Sequence, residues 1–339
     1  MQRSGKKTIF LLLKLLISVG LAGYIYFRVD KKGLLLAVKS LSFSGLSVIF
    51  ALYLVGQIIS AYKWRIFVQE VGLKITPMQA IRAYFFGMFV NVFGFGTIGG
   101  DVARALALAA PKGLRAGTLA TVIADRVQGL TILMIIGTLA VNIFPPEVLG
   151  TNLLATLRYG SILALSSLLL SWWIGPTILK KIFHSEHKWG AAAQRVTQAF
   201  PHRKEPLVSK SILSFIFHNI QIVMHILIAR ELGADLSASF IYATVPFVNI
   251  VSSLPISLFN GLGVREAMYC LLLIPAGLAQ ETAVAFGGIW LFTVTVISSF
   301  GILLLTPDMK EAVKNGRKER VITPPEFNEE LTKKAVGNL

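Results

Sequence analysis

The sequence predicts an all-α polytopic membrane protein, with six full spans and two broken re-entrant helical hairpins arranged as an inverted repeat. Three observations predict it. Of 339 residues, 54% are hydrophobic and only 15% charged, and the mean hydropathy of +0.68 lies well above the balance of a soluble domain. Several apolar runs reach the ~20 residues that a helix needs to cross a hydrocarbon core of ~30 Å. Two further apolar regions are interrupted at their centres by Gly, Asn, Ser and Pro, which break helices.

Taken in chain order, the first run, residues 8–27, follows Arg3, Lys6 and Lys7 and contains Lys14. It is too long for the core of a signal peptide and further spans follow, so it reads as an uncleaved first helix. The other full spans are residues 46–67, 118–144, 160–178, 211–232 and 282–305. The broken regions are 77–111, with its centre at 91–100, and 236–278, with its centre at 249–263; each reads as two short helices meeting at an irregular tip. Residues 1–305 thus form a transmembrane domain, and residues 306–339 a polar, flexible tail.

Charge sets the orientation. Residues 180–210 carry Lys180, Lys181, Lys188, Arg195, Arg203, Lys204 and Lys210 against Glu186 and Glu205, which places this connection in the cytoplasm. The connection 144–160 carries only Glu147 and Arg158 and falls on the other side. With both termini cytoplasmic, the two broken regions leave and return on opposite sides, whether as re-entrant hairpins or as full helix pairs. Arg28, Lys31, Lys32 and Lys39 disagree, because this topology puts them outside. The net charge of +16 needs no nucleic-acid partner, since basic loops and anionic headgroups account for it. Cys270 is the sole cysteine, which excludes a disulfide framework and a cysteine-ligated cluster. No cofactor or metal is expected.

The two halves each hold two spans, a broken hairpin and a span, and Phe89-Val90-Asn91 recurs as Phe247-Val248-Asn249. In inverted repeats of this kind, substrate sites form near the midplane between broken helices. Ionisable groups in such segments cost ~2.5–3.5 kcal/mol each at a helix centre, so they face a cavity or a partner. The first candidate segment runs Gly96-Thr97-Ile98-Gly99-Gly100-Asp101-Val102-Ala103-Arg104. Its glycines can present free N–H groups at a helix start, with Arg104 one turn in, although it lacks the Lys-Ser/Thr ending of a nucleotide loop. An ordinary Gly-rich turn with an Asp–Arg pair at i, i+3 reads the same residues.

The second segment, Asn260-Gly261-Leu262-Gly263-Val264-Arg265-Glu266, repeats that chemistry after Pro246, Pro255 and Ser257; a capped interfacial turn is its alternative. The third is Asp125-Arg126 with Gln128, read either as a structural ion pair or as a proton-coupling Asp125. His218, Gln221 and His225 recur at spacings of three and four and share one helical face, beside Asn219. They line a path, hold a metal, or bond between helices. No nucleophile elbow, His-Glu-x-x-His pair or Rossmann fingerprint is present.

Gly99-Gly100-Asp101-x-x-Arg104, Asp125-Arg126 and Gly261-Leu262-Gly263-Val264-Arg265-Glu266 together resemble the lysylphosphatidylglycerol synthase transmembrane-region family, also called the flippase-like domain family. The likeness covers roughly residues 8–305. It implies a multi-pass bacterial or archaeal cytoplasmic (inner) membrane protein that moves an anionic phospholipid or a polyprenyl-phosphate-linked glycolipid without covalent chemistry. The 34 residues after Leu305 leave no room for an aminoacyl-transferase domain, so only the transport half carries over. The chain also has Phe95-Gly96-Thr97 where the family often has Pro near the first tip.

The expected substrate-binding set is Asn91, Gly99, Gly100, Asp101, Arg104, Asp125, Arg126, His218, Asn249, Asn260, Gly261, Gly263, Arg265 and Glu266. In it the arginines hold the anion, the glycine tips donate N–H groups, and Asp101, Asp125 and Glu266 orient the arginines or carry a proton. A membrane-embedded lipid-phosphate transferase is one alternative. The other is a non-transporting partner of a cell-envelope glycosyltransferase or lipid-modifying enzyme, docked through the tail. Homo-oligomerisation stays open.

Overall fold

The computed structural model describes residues 16, 19–21, 23–27, 29–93, 97–182, 204–253 and 261–321, and all regular elements among them are helices. They are α1 (Lys31–Lys39), α2 (Phe43–Glu70), α3 (Pro77–Phe93), α4 (Thr97–Ala107), α5 (Lys112–Ile143), α6 (Gly150–Ile182), α7 (Lys204–Glu231), α8 (Ala238–Ser253), α9 (Val264–Leu273), α10 (Gln280–Leu303) and α11 (Pro307–Val321). A 3₁₀ turn, Glu147–Leu149, precedes α6.

Local chemistry sets many of the helix starts. Ser42 accepts from the Gly45 amide and Asp30 from the amides of Lys32 and Gly33, which satisfies donors left over at the starts of α2 and α1. Pro77 and Pro307 open α3 and α11, where a missing N–H is harmless.

Among the described residues, five segments are long and apolar enough to cross a membrane: Phe43–Glu70, Gly117–Ile143, Glu147–Trp172, Leu207–Glu231 and Gln280–Leu303. They match the spans expected at 46–67, 118–144, 160–178, 211–232 and 282–305. The expected first span, residues 8–27, lies largely outside the described residues, with residues 23–27 helical. Helix α6 starts ten residues earlier than its apolar run, because residues 150–159 lack any breaker after Gly150 and continue the helix. On α6, Leu163 is 70% exposed, as suits a side chain facing lipid tails rather than water.

One ion pair and one hydrogen-bonded cap fix which helix ends lie together. Lys210, at the start of α7, meets both carboxylate oxygens of Glu70, at the end of α2, at 2.8 and 2.6 Å. At the opposite ends of the same two helices, the Glu231 carboxylate accepts from the amide and hydroxyl of Ser42, each at 2.8 Å. The pair is therefore antiparallel and defines two faces. The α3–α4 hairpin leaves from the end of α2 and returns to the start of α5, on the Glu70 face. The α8–α9 hairpin leaves from the end of α7 and returns to the start of α10, on the Glu231 face. At 1.5 Å per residue, α4 and α9 reach only ~17 and ~15 Å, short of the ~30 Å hydrocarbon core.

The hairpins meet α5 at different depths. Arg104 on α4 pairs with Asp125, whereas Pro246 on α8 lies against Gly137, twelve residues or ~18 Å further along. Close packing here depends on small residues, since lipid supplies little hydrophobic drive between helices. A Cβ on Gly100 would collide with the Gly87 carbonyl and the Asn91 side chain, so α3 and α4 touch backbone to backbone.

Of the basic residues that disagreed with the charge rule, Arg28 lies outside the described residues, and Lys31, Lys32 and Lys39 lie on α1, which packs against α10 on the Glu231 face. There the Asp30 amide donates to Glu281 at 3.2 Å and Lys31 sits over the Tyr26 ring. The tail expected to be flexible from residue 306 instead begins as helix α11. Met309 and Val313, one turn apart, pack against the cluster around Trp64 and Phe67, which anchors this first half; residues 322–339 lie outside the described residues.

Candidate functional site

Between the two hairpins, α2, α5, α7 and α10 line a cavity of about 260 Å³. Its lining comes from both hairpins: Asn91, Asp101 and Arg104 from the first, Asn249, Ser253 and Arg265 from the second. Arg104 and Arg265, expected to share one pocket, do line the same one.

On the first hairpin, the Asn91 Oδ1 accepts from the Gly100 amide at 3.0 Å, which ties the end of α3 to the start of α4. This places Arg104 under α2 and α5. Its guanidinium donates to Asp125 at 3.1 Å, lies 3.5 Å from Asp101, and is flanked by the rings of Trp64 and Tyr84. Asp125 also pairs with Lys63 of α2 at 3.0 Å. Arg126 pairs with Asp101. The adjacent Asp125 and Arg126 thus serve different partners, because neighbours on a helix point ~100° apart.

On the second hairpin, Asn249 occupies the equivalent place. Its Oδ1 accepts from Arg265 Nη1 at 2.8 Å. Arg265 also stacks on Trp290, 3.5 Å from the ring centroid, and reaches the Tyr269 oxygen. Tyr269 is held in turn. His225 Nδ1 lies 2.6 Å from the Gln221 carbonyl, an acceptor, so Nδ1 carries the proton and Nε2 accepts from the Tyr269 hydroxyl at 2.8 Å. The resulting chain fixes the guanidinium, which forms no ion pair with any described residue.

The expected residues therefore divide. Asn91, Asp101, Arg104, Asp125, Arg126, His218, Asn249 and Arg265 converge on the cavity. Gly99, Gly100, Gly261, Gly263 and Glu266 do not line it. The amides of Gly100 and Gly263 are already engaged, the first by Asn91 and the second by Glu266 Oε2 at 2.7 Å, so neither is free for an anion. Gly263 takes φ +81°, a left-handed conformation that admits the turn into α9. Glu266, expected to orient an arginine, closes that turn instead. Asn260 lies outside the described residues.

The histidine face bonds between helices. His218 meets the Gly129 carbonyl of α5 at 2.9 Å while also touching the cavity, and His225 serves Tyr269. Among the described residues, no group of three or more His, Cys, Asp or Glu side chains is placed to hold a metal ion.

Several lining residues were not foreseen: Tyr53, Gln57, Ser60 and Lys63 of α2, Tyr84 of α3, and Trp290 and Ser298 of α10. Lys63 carried a usable signal, being a cation inside an apolar run, the same argument that singled out Asp125. The aromatic and hydroxyl residues carried none, since such residues are common throughout spans.

A comparison with curated proteins finds no match to this sequence. The model of one protein family, described as the lysylphosphatidylglycerol synthase TM region, matches residues 11–301. That match covers most of the chain and both hairpins with the cavity between them, so this multi-pass membrane protein belongs to the lysylphosphatidylglycerol synthase TM region family.

Proposed function

We propose that the protein is a lipid flippase that moves an anionic phospholipid or a polyprenyl-phosphate-linked glycolipid across the cytoplasmic membrane, without covalent chemistry. One observation carries this reading: cations from both hairpins line the same cavity, with more positive than negative charge. Lys63, Arg104, Arg126 and Arg265 face it against Asp101 and Asp125. A buried excess of cations costs several kcal/mol unless an anion neutralises it, so the cavity is suited to a phosphate.

In this reading the headgroup crosses through the cavity while its tails stay in lipid beside the exposed apolar faces. The two hairpins, joined to opposite faces, flex alternately to open it. The Glu70 face, which holds Lys210 at the end of the basic stretch 180–210, is cytoplasmic, with both termini. Residues 1–305 form the translocating unit.

The test is reconstitution with an acyl-labelled fluorescent phosphatidylglycerol. Wild-type protein accelerates its exchange between leaflets over protein-free vesicles, and Arg265→Ala lowers the rate. Equal rates for both proteins would remove Arg265 from the mechanism.

A further inference from the structure

The cavity is not electrically uniform. On the first-hairpin side, three cations meet two carboxylates, and each carboxylate already bridges two cations: Asp125 joins Lys63 and Arg104, and Asp101 joins Arg104 and Arg126. No carboxylate that lines the cavity is left over. On the second-hairpin side stands Arg265, 4% exposed and without a carboxylate partner among the described residues; its sequence neighbour Glu266 is turned to the Gly263 amide.

Unmet hydrogen-bonding capacity also lines the cavity: Arg104 Nε and Arg126 Nε at least face the Asp101 carboxylate, whereas other donors face none. Arg265 Nε, Trp290 Nε1 and Gln221 Nε2 are buried with no partner, and so is the Ser298 hydroxyl. All four side chains line the cavity and are more than nine-tenths buried. Three of these atoms are N–H donors that cannot accept. An unmet buried donor costs ~1–3 kcal/mol, and only an acceptor relieves it. A phosphate or hydroxyl oxygen qualifies; an ammonium, which is itself a donor and a cation, does not.

We propose that the seat of the headgroup phosphate is the Arg265 side of the cavity, and that the cavity selects a phosphodiester bearing uncharged hydroxyls while rejecting headgroups that carry an amine. This rests on the transport reading and narrows its cargo. Lys63, Arg104 and Arg126 form a wall in which every cation has a carboxylate partner, and that pairing holds the first hairpin in place. Arg265 supplies the cation that has no carboxylate partner among the described residues, and Asn249 and the His225–Tyr269 chain aim it. A volume near 260 Å³, against ~30 Å³ for one water in the liquid, has room for a headgroup rather than a bare ion.

Three lipids with the same labelled acyl chain separate the possibilities: phosphatidylglycerol, phosphatidylethanolamine and lysylphosphatidylglycerol, which share the phosphate and differ in their amines. In proteoliposomes, wild type is expected to move phosphatidylglycerol at least ~10-fold faster than either amine-bearing lipid, which corresponds to ~1.4 kcal/mol of selectivity. Arg265→Gln should erase the preference and Arg265→Lys should keep it at a lower rate. Comparable rates for lysylphosphatidylglycerol and phosphatidylglycerol in the wild type would overturn the proposal, as would a preference that survives Arg265→Gln.

If no lipid moves faster than in empty vesicles, the transport reading falls. Selectivity is then judged by native mass spectrometry of the detergent-solubilised protein offered an equimolar mixture. Retention of phosphatidylglycerol over the other two supports the charge assignment, and equal retention overturns it.

Discussion

Asn249 Oδ1, on α8, accepts a hydrogen bond at 2.8 Å from Nη1 of Arg265, sixteen residues further along at the start of α9. Asn91 does the equivalent in the first hairpin, where it accepts from the Gly100 amide. The short echo Phe89-Val90-Asn91 and Phe247-Val248-Asn249 thus ends, both times, on the side chain that ties a first arm to the start of its second. A three-residue match gains a physical reason: each asparagine supplies the acceptor that joins the two arms of its hairpin.

Asn249→Ala should leave Arg265 loosely held and slow phosphatidylglycerol exchange by roughly 10- to 100-fold, the scale of one hydrogen bond to a charged group. Asn249→Asp places a carboxylate against Arg265 and should abolish exchange while raising the melting temperature in detergent. Exchange rates and thermal unfolding of the two variants check both outcomes.

Asp125 holds Lys63 and Arg104 together, both buried. Asp125→Ala strands Lys63, leaves Arg104 with Asp101 alone, and should destabilise the protein by ~3–5 kcal/mol. Lys63→Met in that background removes one stranded charge and should recover part of the loss, with a coupling energy of ~1–3 kcal/mol. Additive effects in a double-mutant cycle, read by unfolding in detergent, would show that the pair is not energetically linked.

Gly99 and Gly100 are neighbours with opposite surroundings. A Cβ at Gly99 meets only Val90, at 3.8 Å, whereas one at Gly100 runs into the Gly87 carbonyl and Asn91. Gly100→Ala should therefore cost ~1–3 kcal/mol and impair transport, and Gly99→Ala should cost less than ~0.5 kcal/mol. Similar melting temperatures for the two variants would count against backbone contact between α3 and α4.

The hairpins are reached from opposite faces. In a Cys270→Ser background, Lys74→Cys marks the connection before α3 and Asp235→Cys the connection before α8; both positions are exposed. A membrane-impermeant thiol reagent added to intact cells should label Asp235→Cys and leave Lys74→Cys unlabelled until the cells are opened. Labelling of both from outside would refute the two-faced arrangement.

Sequence by itself determined the class of this protein and most of its framework. Runs of apolar residues long enough for the bilayer become helices wherever they occur, because an unpaired backbone group in hydrocarbon is too costly. The expected breaks also fell where α3 gives way to α4 and α8 to α9. The ionisable residues Asp101, Arg104, Asp125, Arg126 and Arg265 were legible for the same reason, since a charge in an apolar run needs a cavity or a partner.

Tertiary structure alone decided which charge meets which. Asp125 chose Lys63 and Arg104 over its neighbour Arg126, and Glu266 chose the Gly263 amide over Arg265. Those choices depend on how α2, α4 and α5 cross in space, and no linear spacing encodes a crossing. The glycine tips show the same limit: free amides expected to bind an anion were taken by Asn91 and Glu266. The unpartnered state of Arg265, from which the anion assignment follows, is a property of distance between side chains on different helices and so exists only in the folded protein.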